Sequence, residues 1–268
     1  MTHVGLLACY AGLLASAAAP FLSALSLRSS TATSVKNSLR TNLLASGQDS
    51  PVTAPAGENK TEDCLATINR LRSENLKGLL GTLNKAEDKE VTASLKTIQI
   101  QEDTDATAVT IAVKLAGEDV HTCASGKDAN AKKYPGLVIP FAHGDNFECN
   151  ALIQATYAAG LDHLKQSSFD SSTGIYDTTK DPFDKVEASN VAFLLSAKST
   201  KVSCAATKDC NAGHNVLFCY FISPLQKGQK PFTTELYNAL WGLEAGAASV
   251  SVPSAATVLL VLALIVRT

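Results

Sequence analysis

Six cysteines spread between an apolar beginning and an apolar end constrain this chain more than any other feature. The sequence holds seven cysteines, and Cys9 falls within the N-terminal apolar run. Cys64, Cys123, Cys149, Cys204, Cys210 and Cys219 remain. Residues 4–19 carry no charged side chain, are rich in Leu and Ala, and close on Ala17, Ala18 and Ala19. Such a run reads as a secretory signal peptide, here 1–19, and places the rest of the chain in an oxidising compartment. There an even cysteine count predicts a disulfide framework, and six cysteines allow 15 connectivities among which spacing does not choose. Zinc is the competing use of cysteine, but no C-x-x-C pair occurs and no histidine stands at ligand spacing.

The C-terminus carries a second address. Residues 258–266 are apolar and only Arg267 and Thr268 follow. That run is far below the roughly 20 residues that span a bilayer. Before it come the small residues Ala245-Gly246-Ala247-Ala248-Ser249 and an uncharged spacer through Pro253. This order reads as a GPI-attachment signal, with 242–268 as the signal and the lipid placed on Gly246, or on Ala247 or Ser249. The expected partner is therefore a membrane reached through a GPI lipid. Formal net charge is −2, and loss of Arg267 alone takes it to −3. Lys and Arg are dispersed, so composition offers nothing to nucleic acid or to an anionic membrane surface.

Between the ends lies 20–60, which from residue 28 onward is rich in Ser, Thr, Asn, Ala and Gly, has no aromatic residue and has too little apolar surface to offset its ordering entropy. It is expected to be a disordered leader. Asn59-Lys60-Thr61 is the one N-x-Ser/Thr sequon, which makes Asn59 the glycosylation candidate. The folded domain is expected over 61–241. Thr61 is read as a helix cap ahead of Glu62 and Asp63, with Leu65, Ile68 and Leu71 at helical spacing. Residues 95–100 are read as a strand. Residues 109–115, where Val109, Ile111, Val113 and Leu115 alternate with Thr110, Ala112 and Lys114, are read as a second, half-buried strand. A loop over 116–133 is followed by the apolar Leu137, Val138 and Ile139, ended by Pro140. Residues 149–165 read as a helix, 191–195 and 216–222 as apolar runs of strand length, and 232–240 as a last short helix.

Catalytic motifs are missing from the sequence. There is no G-x-S-x-G, G-x-G-x-x-G or phosphate-binding loop. His121, His143, His163 and His214 are isolated. His143-Gly144-Asp145 is the one pairing that invites acid–base chemistry, and a turn leading to a helix cap at Asp145 or Asn146 accounts for it equally. Paired cysteines are not nucleophiles.

Several stretches resemble the CAP domains (cysteine-rich secretory, antigen 5, pathogenesis-related). They are Val202-Ser203-Cys204-Ala205, Cys210, Leu217-Phe218-Cys219-Tyr220-Phe221, Pro224, and an Asn-x-x-Arg match at Asn69 to Arg72. The match departs from the family at Ser203, Tyr220 and Pro224, and Ile68 and Glu187-Ala188-Ser189 occupy places where the family carries metal-binding histidines. The whole pattern is similar to the coccidian surface antigens of Eimeria, with Ala158 to Leu161, Pro182-Phe183-Asp184 and both end signals contributing. The resemblance implies an α/β fold, a CAP-like three-layer α/β/α sandwich with a mixed, mainly antiparallel sheet and three disulfides. It implies pairing of Cys204 with Cys219, and of Cys210 with an upstream cysteine. It further implies a monomeric, non-catalytic, GPI-anchored surface antigen without cofactor or metal, attaching to a host-cell surface component and exposed to host immunity. A lipid- or sterol-binding CAP module and a secreted hydrolase using His143 and Asp145 are the alternatives.

Overall fold

Alternate residues of two neighbouring strands feed two separate cores, and that division sets the architecture. The computed structural model describes residues 53–100 and 105–247, with side chains as far as Gly242. Strands β4 (Lys201–Lys208) and β5 (His214–Phe221) form an antiparallel hairpin in which Val202 faces Phe221, Cys204 faces Cys219 and Ala206 faces Leu217. These six side chains enter one core; their neighbours Ala205, Val216, Phe218 and Tyr220 enter the other. The two-residue period of a strand explains the split. β3 (Leu137–Ala142) pairs antiparallel with β5 and forms one edge of the sheet. On the far side of β4 lie β1 (Ala56–Asn59), antiparallel, and the short β2 (Asn84–Lys85), parallel. The sheet is mixed and mainly antiparallel.

Helices cover both faces. The core that contains Cys204 and Cys219 takes in α1 (Thr61–Ser73), α4 (Cys149–Gln166), α5 (Val186–Leu194) and α6 (Thr234–Ala247). The other takes in α2 (Asp88–Thr97) and α3 (Ala108–Ala116). The chain is thus an α/β protein of three layers. Its disulfides join Cys64 to Cys149, Cys123 to Cys210 and Cys204 to Cys219. The first ties α1 to the start of α4. The second ties the 117–135 loop to the β4–β5 turn, where Gly213 has no room for a side chain, since a Cβ there would lie 2.2 Å from the Thr122 carbonyl oxygen. In the chain-entropy view, closing loops of 85 and 87 residues stabilises by about 4.5 kcal/mol each, and the 15-residue loop by about 3 kcal/mol.

Several expected elements differ. Residues 109–115 belong to the helix α3. Ala108, Ile111, Ala112, Leu115 and Ala116 are buried at helical spacing, while Val109 and Val113 reach toward Gly57 of β1. A helix apolar on most of its circumference imitates alternation, and tertiary packing overrides the strand preference of Val and Ile. Thr107 and Thr110 close a reciprocal capping pair at its start. Residues 95–97 end α2, whose capping box of Glu87 and Glu90 precedes it. Residues 191–194 end α5, a helix buried from Ala188 onward, and a short buried run does not declare its period. Thr61 is not a cap: it is the first helical residue, and its buried hydroxyl donates to the Cys204 carbonyl and accepts from the Cys204 amide. Asp145 and Asn146 do not cap α4, whose N-cap is Glu148. The leader expected to end at 60 includes β1, which hydrogen-bonds along β4. The boundary expected after 241 falls inside α6. The signal peptide, most of the leader, Ser249 and the apolar C-terminal run lie outside the described residues.

Candidate functional site: a groove along the sheet edge

An edge strand exposes unpaired amides and carbonyls, so what covers β3 matters. Pro140 removes one outward donor from this edge. Asn190, on α5 and 1% exposed, covers another position: its Oδ1 accepts from the Val138 amide at 2.8 Å, and its Nδ2 donates to the Val138 carbonyl at 2.8 Å. The same Nδ2 also donates to the Thr156 hydroxyl of α4 at 3.0 Å. One side chain therefore replaces a neighbouring strand for one residue. α5 is brought close to α4 at Gly160, where a Cβ would sit 2.3 Å from the Glu187 carbonyl oxygen.

Beyond this lock, a groove of about 700 Å³ runs between β3, the α4–α5 layer and the 127–132 loop. Its apolar wall comes from Ile139, Pro140, Leu152, Ala155, Ala159 and Val186. The loop adds Lys127, Asp128 and Lys132, and α5 adds Glu187. Asn130 shapes the loop, donating to the Asp128 carbonyl and accepting from the Lys132 amide. Glu187 lies 3.8 Å from His163. None of the residues lining the groove is a serine, cysteine or histidine. The groove can take up apolar surface and hydrogen-bond or ion-pair at its rim.

The residues singled out from sequence are dispersed. His143 and Asp145 are exposed on the turn between β3 and α4, and no hydrogen bond joins their side chains among the described residues. His121 meets Asn211 at 3.2 Å, His163 meets Glu187, and His214 begins β5. The sulfurs of Cys64, Cys204 and Cys219 lie within 4.8 Å of one another, but each is in a disulfide and offers no thiolate to a metal. Asn59 is exposed at the end of β1, its Oδ1 accepting from the Thr61 amide. Gly246 and Ala247 end α6.

The Asn-x-x-Arg stretch has a structural task. The Asn69 amide bonds both the amide and the carbonyl of Leu83. Arg72, 1% exposed, donates to the carbonyls of Gly81, Leu194 and Ser196, closing the C-terminus of α5 with a buried positive charge. Burial pushes its guanidinium down to about 10, which leaves it charged at neutral pH. Asn190 was not among the residues that sequence singled out. The signal was a lone amide inside the apolar run that follows Glu187.

Comparison with known proteins adds one strong likeness. The chain is 70% identical to the Eimeria tenella surface antigen protein SAG19, whose crystal structure it matches over 71% of its own length and 99% of that chain, with a TM-score of 0.69. No protein-family model matches the chain, and neither does any curated protein.

Proposed function

The chain belongs to the surface antigens of Eimeria, and we propose that it is displayed on the parasite surface by a GPI lipid and attaches there, without catalysis, to a host-cell surface component. The observation that carries this reading is the identity with a surface antigen across nearly all of that protein's solved chain. Two further observations support it. The groove along β3 has no serine, cysteine or histidine in its lining, and the histidines are scattered over separate segments. The apolar C-terminal run behind small residues supports the lipid anchor. Phosphatidylinositol-specific phospholipase C releases a lipid-anchored chain from intact cells; retention of the chain after that treatment contradicts the anchor.

The three-layer architecture and the Cys204–Cys219 pairing support a CAP-like domain, proposed here as monomeric and in contact with host immunity. Asn59 is exposed and its Nδ2 is free to carry a glycan, whereas the Thr61 hydroxyl that completes the sequon is buried against Cys204. Glycosylation of Asn59 therefore precedes folding in this account. A second reading, uptake of a lipid or sterol, is favoured by the apolar wall of the β3 groove. Titration of the delipidated chain with a fluorescent sterol tests it, and failure to saturate rejects it.

A further inference from the structure

A second recess opens at the N-terminus of α6 and shares no lining residue with the groove along β3. It encloses about 350 Å³. Lys198 and Lys230 line it, and no aspartate or glutamate does. Thr233 caps the helix, its Oγ1 accepting from the Leu236 amide, and the Tyr237 amide bonds the Thr233 carbonyl. The amides of Thr234 and Glu235 have no partner among the described residues and lie at the positive end of the helix dipole.

Two hydroxyls in this recess point independently to a ligand. Ser171 is 7% exposed and Ser196 is 3% exposed, both line the recess, and neither hydroxyl has a hydrogen-bond partner among the described residues. Unlike the fully buried hydroxyls of Ser199 and Ser203, these two keep access to the recess, so they are free to donate into it. The surrounding carboxylates are held by other groups, although the Asp170 charge also acts on Lys230. Asp170 accepts from Ser172 and Thr173, and Glu235 lines a different recess beside Asn75 and Leu79. Lys230 spends one donor on the Ser172 carbonyl at 2.6 Å and keeps the others. Lys198 has no ion pair or hydrogen bond among the described residues.

We infer that this recess binds a tetrahedral oxyanion, the sulfate or phosphate group of a monoester or of the free ion. Two ammonium groups supply charge, the first turn of α6 supplies amides, and Ser171 and Ser196 supply hydroxyl donors; all are donors, and a tetrahedral oxyanion is all acceptors. Leu225 and Leu236 add apolar surface at the same recess, which suits an anion carried on a larger body.

Calorimetric titration of the full chain in detergent, at low ionic strength, tests this with sodium sulfate, sodium phosphate and glucosamine 6-sulfate. Saturable binding of at least one is expected, with Lys198→Gln weakening it about tenfold, the loss of one charge-assisted contact. Tighter binding of the sugar ester than of the free ions identifies a pendant group as the ligand; tighter binding of a free ion identifies the ion. Because Lys198 holds nothing else, an unchanged circular-dichroism spectrum is expected for that variant. Ser196→Ala, which keeps both charges, is expected to weaken binding less. No saturable heat with any of the three anions overturns the inference, as does binding that Lys198→Gln leaves unchanged.

Discussion

Replacing Asn190 by Ala removes the lock on the sheet edge, and the structure sets the size of the loss. Asn190 makes three hydrogen bonds, two to the backbone of Val138 and one to Thr156. All three partners are buried, and alanine leaves each without this bond. At about 1 kcal/mol for each net bond, the loss is about 3 kcal/mol. For a domain of this size that lowers the melting temperature by about 6–12 °C. Urea unfolding followed by the fluorescence of Trp241 measures it, because Trp241 is the one tryptophan and packs edge-on against Tyr237 at 5.2 Å. Asn190→Asp separates the contributions. Its carboxylate still accepts from the Val138 amide, but it can no longer donate to the Val138 carbonyl. It is expected to be destabilising by a comparable or larger amount, since a carboxylate then faces a carbonyl in a buried site. An unlocked edge also invites a second strand, so Asn190→Ala is expected to self-associate in a concentration-dependent way. A loss below about 1 kcal/mol, with the slope of the unfolding transition unchanged, would refute the lock.

Other consequences are direct. Arg72→Leu strips three carbonyls of their donor and is expected to cost about 3 kcal/mol or more in urea unfolding; Arg72→Lys, without the planar fork, recovers only part. Gly160→Val drives a side chain into the Glu187 carbonyl and Val191, and is expected to destabilise by about 3 kcal/mol or to prevent folding, read from melting and from yield. Asp177 is held down to about 2 by the Thr179 hydroxyl first, then by the Thr179 amide and the Lys227 ammonium. A depressed carboxylate contributes stability that is complete above its unfolded value near 3.8 and is lost as pH falls toward 2. Asp177→Asn is therefore expected to flatten the acid limb of a melting-temperature profile while leaving its shape near neutral pH unchanged.

How far the sequence disclosed this molecule depended on whether each element had one dry face. α4 showed its period and was legible, whereas β5, buried on both faces, was read only from the strand length of its apolar run. α3 and α5 were not: α3 is apolar around most of its circumference although one stripe is buried, and α5 is buried from Ala188 onward, so neither sequence shows its period. The cysteines announced three bonds but not their pairing, which depends on β4 and β5 setting Cys204 directly opposite Cys219. The groove was invisible for a further reason: its walls come from β3, α4 and α5, and Asn190, which locks the strand edge, looked like an interruption in an apolar run. The recess at α6 joins residues near 171, 198 and 234, which no local pattern connects.

Attachment to host cells is tested most directly by equilibrium binding of the labelled, disulfide-intact full chain to host epithelial cells, with unlabelled chain as competitor and the reduced, alkylated chain as control. The account predicts saturable binding that the competitor abolishes and the unfolded control lacks. Binding that rises linearly with concentration, resists competition, or is equalled by the alkylated chain contradicts it.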